Sequence, residues 1–220
     1  MNSATDGRYV PAAGRRSLTG LYDPVLALTM RQDAWRPALV ARVMGPGPRD
    51  VADVGCGTGT LAIALARAGA RVTGIDGDPE ILVRAQAKEA AEPIGRGGPI
   101  AWREGLAGAL PLAAASVDAV VSTLLLHHLR PAAKAAALAE AHRVLRPGGR
   151  LHVADWGRPA DPLQRAAFFG LQLLDGFDNT TDHAAGRLPA MIVAAGFRVV
   201  APRGRLRTVW GTLELLEAER

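Results

Sequence analysis

Cysteine occurs once, at Cys56, so no internal disulfide can form. A chain without cross-links fits a reducing compartment, and 220 residues are enough to bury a core without them. Aromatic residues make up only 5% of the chain, too few for a platform on which nucleobases stack. Lysine is confined to Lys88 and Lys134, so arginine carries nearly all of the positive charge behind a net +5. The arginines are scattered. Their densest group, Arg198, Arg203, Arg205 and Arg207, suits a solvated strand edge better than a phosphate track. No run approaches the roughly 18 apolar residues that cross a bilayer, and the opening Met-Asn-Ser-Ala-Thr-Asp-Gly-Arg holds no apolar leader. These absences predict a protein of the cytoplasm with no transmembrane segment and no nucleic-acid partner.

What is present is an alternation of strand and helix. Residues 1–49 read as an N-terminal arm followed by lid helices, with a periodic helix over 33–44 that Pro37 interrupts and Gly45-Pro46-Gly47-Pro48 ends. Residues 50–220 form the main domain. Val- and Ile-rich strands are expected at 50–54, 71–75, 99–103, 117–122 and 150–155, with helices near 60–69, 79–91 and 131–145 between them. Pro131 near the start of the last helix and Gly148-Gly149 beyond its end are the usual punctuation. An insert at 157–186 breaks the rhythm with an apolar helix near 162–175. A helix at 187–195, closed by Gly196, and two strands at 197–201 and 206–215 finish the chain. The fold class is α/β: a Rossmann-like, doubly wound sheet in three layers, mostly parallel, with an antiparallel C-terminal strand.

The densest information lies in Val51-Ala52-Asp53-Val54-Gly55-Cys56-Gly57-Thr58-Gly59-Thr60. A strand enters a turn with glycine at alternate positions, and a helix leaves it. A backbone without side chains turns tightly and admits a ligand against it, and the helix start offers free N–H groups. The dinucleotide fingerprint Gly-x-Gly-x-x-Gly places its third glycine one residue later, where this chain has Thr60. The second strand ends in Asp76, a carboxylate able to accept both hydroxyls of a ribose, while Asp53 supplies negative charge for a cationic amine. A cofactor with a ribose, an amine and a carboxylate fits better than one with a pyrophosphate.

The chain resembles the class I S-adenosylmethionine-dependent methyltransferases. The resemblance rests on Asp53 to Gly59, on Gly74-Ile75-Asp76-Gly77-Asp78-Pro79-Glu80, on Val117 to Ser122 followed by Leu126-His127-His128-Leu129, and on Glu140 to Gly149. It covers about residues 50–156 and is nearest the branch of ubiquinone/menaquinone-biosynthesis methyltransferases. It implies S-adenosyl-L-methionine as cofactor, contacted by Asp53, Gly55, Cys56, Gly57, Gly59, Asp76, Gly77, Leu106, Ala107 and Ser122, with Tyr22 either in a lid above it or a plain packing residue. One departure stands out: Gly105-Leu106-Ala107 replaces the branch's Gly-Asp-Ala, so the polar contact to adenine is either missing or supplied elsewhere, and Leu106 is left to pack on the ring.

Methyl transfer from a sulfonium needs positioning more than acid catalysis. A base serves only where the acceptor is a weakly acidic hydroxyl, phenol or carbon acid. His127 and His128, after the fourth strand, are the candidates for that base, and Asp155, at the end of the fifth, is the candidate for orienting the acceptor. Each has a structural alternative: a loop histidine pair, and a carboxylate that orders its loop. No metal site is expected, because neighbouring histidines point apart and no ligand cluster accompanies them. His183 reads as part of the substrate-side insert or as an exposed polar loop. Cys56 reads as a small residue filling the turn, His142 and His152 as structural, and Glu140 with Arg143 as a surface pair. The helix at 162–175 roofs an acceptor pocket, meets a membrane or a second subunit, or packs in the core. The expected acceptor is a small, apolar or aromatic molecule. Two alternatives remain, a non-catalytic S-adenosylmethionine-binding protein, suggested by Leu106, and an RNA methyltransferase, opposed by Ser122-Thr123-Leu124-Leu125 where base-amine methylation uses Asn/Asp-Pro-Pro-aromatic.

Overall fold

The computed structural model describes residues 31–45, 49–92, 94 and 98–220. In chain order the elements are α1 (Gln32–Met44), β1 (Asp50–Val54), α2 (Thr60–Arg67), β2 (Arg71–Asp76), α3 (Pro79–Ala91), β3 (Ala101–Glu104), β4 (Val117–Thr123), a 3₁₀ turn (Leu126–His128), α4 (Pro131–Val144), β5 (Leu145–Trp156), α5 (Pro162–Asp175), α6 (Phe177–Ala184), α7 (Leu188–Ala194), β6 (Arg198–Arg207) and β7 (Thr212–Glu219). The strands form one sheet in the order β3-β2-β1-β4-β5-β7-β6. β1 pairs in parallel with both β2 and β4, whereas β7 runs antiparallel to β5 and β6. Strand order therefore reverses between β1 and β4, and a crevice beyond the carboxyl ends of two such strands is where sheets of this kind bind ligands.

Apolar residues on both faces of β1 and β4 dictate a helix layer on each side. Trp35, Leu39 and Val43, each one turn apart on α1, pack with Leu61 and Leu65 of α2 against Val51 and Val72. Leu138, Ala141 and Val144 of α4 and Ile192 of α7 cover Val120 and Leu151 from the other side. α1 runs through Pro37 instead of breaking there. Local chemistry fixes the helix starts: Asp78 accepts from the Glu80 amide at 2.9 Å ahead of Pro79, and Asp161 accepts from the Gln164 amide at 2.9 Å ahead of Pro162.

Three expectations are corrected. The C-terminal hairpin turns at 208–211, where the Thr208 amide donates to the Gly211 carbonyl at 2.9 Å, and not in the 202–205 gap between the two expected strands. Pro202 is absorbed as a register shift on β6, an edge strand, where a missing N–H costs no ladder bond. The arginines of that edge are paired: Arg198 with Glu219 (3.7 Å), Arg203 with Glu217 (3.1 Å), Arg205 with Glu214 (3.6 Å) and Arg207 with Asp161. Second, residues 177–184 are helical, so His183 lies in α6 and is fully buried, not on an exposed loop. Third, α5 is turned inside out. Phe168 is buried beside Gln164 and Gln172, while Leu163, Phe169, Leu173 and Leu174 face outward. The glutamines are satisfied internally, with Gln164 donating to the Thr208 carbonyl and Gln172 to Thr180 Oγ1. That leaves no core role for the exposed leucines.

Candidate functional site

The glycine loop caps the carboxyl end of β1. The amides of Gly55 and Cys56 both donate to the Ile75 carbonyl of β2, at 2.8 and 3.1 Å, which forces the chain back across the neighbouring strand. The three glycines serve three different ends. A side chain on Gly55 would strike Leu125 at 2.8 Å. One on Gly57 would meet nothing within 4 Å, so this residue borders open space with a left-handed backbone (φ +53°). One on Gly59 would run into the Trp102 ring at 2.4 Å, as would one on Gly74. Gly59 is thus required by an indole from β3 and by its own φ of +76°. The indole is held by its N–H, which donates to Glu89. Neither Trp102 nor Glu89 stands out in the sequence, because the contact joins elements far apart in the chain.

Asp76 lies across the mouth of this loop. Its Oδ2 accepts the Gly57 amide at 2.9 Å and its Oδ1 the Asp78 amide at 3.0 Å. Burial raises its pKa, and the amides of Gly57, Asp78 and Gly77 oppose that rise. Each oxygen keeps a second lone pair for a hydroxyl donor. Asp53 sits beneath the loop, fully buried, and neither of its carboxylate oxygens has a hydrogen-bond partner among the described residues. Burial and the charge of Asp76 push its pKa up to about 7, against the opposing pull of the Ala62 backbone amide and the charge of Arg36. The Cys56 thiol is raised far above its ordinary range by burial and by the same two carboxylates, which makes it an inert space-filler. Leu106 is 42% exposed and pairs through a bridge with Ala109, whereas Ala107 packs on the core. Ser122 is buried, with its hydroxyl in an apolar cavity lined by Val54, Leu126 and Leu138 and no partner among the described residues. It is turned toward α4, away from the open side of the loop. Tyr22 lies outside the described residues.

Beyond β4 the chain bends through Leu124, whose backbone is left-handed (φ +54°), into the 3₁₀ turn that carries both histidines. Asp155 organises this turn. Its Oδ2 accepts the Leu126 amide at 2.8 Å, and its Oδ1 pairs with His127 Nδ1 at 2.7 Å and accepts the Trp156 amide at 2.7 Å. Burial works against its charge, but His127 and His183 outweigh that and hold the carboxyl below the usual range. Asp155 is fully enclosed and so positions its neighbours instead of meeting an acceptor. His183 donates from Nδ1 to the Trp156 carbonyl at 2.7 Å. His128 is the more open of the pair; burial, then the charge of His127, lowers its pKa to about 3.

Two residues join this corner that the sequence does not flag. Asp175, the last residue of α5, brings its carboxylate to 3.7 Å from His127 Nε2 and 3.9 Å from His128 Nδ1. The expectation that no ligand group accompanies the histidines is overturned, and so is their divergence: the rings lie 4.0 Å apart, tilted by 41°. Lys134 of α4 has a fully buried side chain that donates to the Asn179 carbonyl and lies 3.7 Å from Asp182, tying α6 to the domain. His142 packs edge-on against Phe197, and His152 is buried in the sheet with its pKa lowered to about 4 by burial. Arg143 joins Glu140 at 2.6 Å and also donates to the Leu112 carbonyl, so that pair fastens the segment ahead of β4 instead of merely decorating a surface.

Residues 52–153 match the family model described as "Methyltransferase domain". An uncharacterised protein of Mycobacterium tuberculosis is 37% identical over 157 residues, which is 69% of this chain and 53% of that protein. A ubiquinone/menaquinone biosynthesis C-methyltransferase of Desulfotalea psychrophila is 36% identical over 148 residues, 66% of this chain and 57% of that enzyme. The chain spans about half the length of the curated relatives it matches. Among solved structures, a SAM-dependent methyltransferase of Methanosarcina mazei superposes with a TM-score of 0.68 at 20% identity, covering 82% of this chain and 96% of that one. The chain shares the fold of that structure, a protein described as dependent on S-adenosylmethionine. The residues present fit that cofactor: an open cradle at Gly57, a carboxylate with free lone pairs at Asp76, and a buried carboxylate at Asp53 beneath the loop. No described helix is long and apolar enough to cross a membrane.

Proposed function

We propose that this chain transfers the methyl group of S-adenosylmethionine to a small, apolar or aromatic acceptor, in the manner of the ubiquinone/menaquinone-biosynthesis branch. The observation that carries the reading is the Asp76 carboxylate docked on the Gly57 amide at the carboxyl ends of β1 and β2, beside the crevice where strand order reverses, an arrangement that offers paired acceptors to a ribose. When bound, the sulfonium supplies an electrophilic methyl group that leaves a neutral thioether. The protein's share is binding and orientation. Asp53 provides negative charge next to the loop, and Leu125 closes over Gly55. Asp155 fixes His127 and so the wall on the acceptor side. Leu173, Leu174 and Phe177 flank Asp175 in the chain and are exposed, which supports an apolar partner for that side of the site.

Incubation of the purified chain with methyl-labelled S-adenosylmethionine and a panel of phenols, quinols, indoles, amines and RNA tests the proposal. Label is expected on an apolar, ring-bearing acceptor. Label on RNA alone, or cofactor binding with no transfer across the panel, counts against it.

A further inference from the structure

His127, His128 and Asp175 bring donor atoms from two separate elements to within 4.8 Å of one another. None of the three groups makes a hydrogen bond through its converging atom among the described residues. The Asp175 carboxylate stands 3.7 Å from His127 Nε2 and 3.9 Å from His128 Nδ1, too far for hydrogen bonding. Those separations are close to what a shared ion imposes, since metal bonds of about 2.0–2.2 Å place ligand atoms roughly 3.5 Å apart.

The second shell points the same way. His127 Nδ1 is engaged by Asp155 at 2.7 Å, and Asp155 is itself gripped by two backbone amides. The other ring nitrogen, Nε2, faces the Asp175 carboxylate in a mostly enclosed corner. A carboxylate behind a metal-bound imidazole is the usual device for fixing ring and tautomer. Asp175 is also fixed from behind: its carbonyl accepts from Asn179 Nδ2 at 3.0 Å, and Gly176 turns the chain there with φ +90°.

We infer that His127, His128 and Asp175 form a three-ligand site for a divalent transition ion of the zinc class, with a remaining coordination position open. Two imidazoles and one carboxylate suit zinc or cobalt over magnesium or calcium, which prefer oxygen alone. Ion binding depends only on these residues. Its use rests on the proposed methyl transfer: an acceptor hydroxyl, phenol or thiol would take the open position, its pKa would fall, and its proton would pass to solvent before attack on the methyl group.

The test starts from the full chain stripped of metal with a chelator. Titration with cobalt(II) is expected to give visible absorption saturating at one ion per chain, reversed by zinc. Asp175→Asn and His128→Gln are each expected to weaken binding at least about 100-fold, and Asp155→Asn, through His127, about 10- to 100-fold. X-ray absorption at the zinc edge of the unmutated chain needs no variant and is expected to show imidazole ligands. Absence of cobalt absorption, a zinc shell without imidazole, or unchanged affinity in both ligand variants overturns the inference. S-adenosylmethionine titrated into the metal-free chain reports on the cofactor separately: zinc binding without cofactor binding supports the metal site and sinks the methyltransferase reading.

Discussion

Asp155→Ala is expected to lose about 3–5 kcal/mol of stability, because removing one partner leaves a buried ionic network uncompensated. Asp155 is 1% exposed and joins β5 to the 3₁₀ turn through the Leu126 amide and His127, and it also accepts the Trp156 amide. The alanine would strand these donors where water does not reach, at about 1–3 kcal/mol for each buried group left unpaired. Asp155→Asn keeps the shape but turns an amide N–H toward donors, so its loss is smaller. Because the native carboxyl sits below its ordinary pKa, its contribution is present throughout the neutral range and is lost only as pH falls below that of an ordinary aspartate. Urea unfolding at pH 7 measures the change. A loss under about 1 kcal/mol for the alanine would show that Asp155 does not organise this corner.

Asp53→Asn is expected to act in the opposite sense. Asp53 is raised by burial and by the charge of Asp76 to about 7, from 3.8. Between those values the folded chain holds a proton that the unfolded chain releases, so this group makes stability fall as pH rises from about 4 to 7. His128, His152 and His183, all lowered, push stability up over much of the same interval. They are common to both proteins and cancel in the difference. The stability of Asp53→Asn relative to the unmutated chain should therefore climb with pH, by on the order of 4 kcal/mol between pH 4 and 8. The same variant should bind S-adenosylmethionine more weakly, since the charge that costs stability lies beneath the loop and attracts a cationic amine through space, without direct contact. A pH-independent difference would mean that Asp53 is not strained in the free protein.

The order of strands and the glycine loop are legible in the sequence because both are local. Alternating apolar strands and alanine-rich helices imply a parallel sheet, and Asp53 to Gly59 with Asp76 form a pattern within 24 residues. What escapes is long-range. Gly59 reads as a cofactor glycine, yet its missing side chain is filled by Trp102. Asp175 reads as the polar end of an apolar helix, and only the folding of α5 and α6 over the 3₁₀ turn brings it to the histidines. The outward leucines of α5 could not be read from apolar content, because buried Gln164 and Gln172 take the places a core pattern reserves for leucine. Pro202 to Gly204 carries the strongest local turn chemistry in the hairpin. Packing of Leu213 and Leu216 into the two cores fixes β7 instead and moves the turn to 208–211.

Calorimetric titration of S-adenosylmethionine into the unmutated chain and into Asp76→Ala tests the cofactor site most directly. The account predicts one site per chain and a loss of about 1–3 kcal/mol in the variant, roughly 5- to 150-fold in affinity, from ribose hydroxyls left without acceptors. No binding to the unmutated chain, or equal affinity in the two proteins, would contradict it.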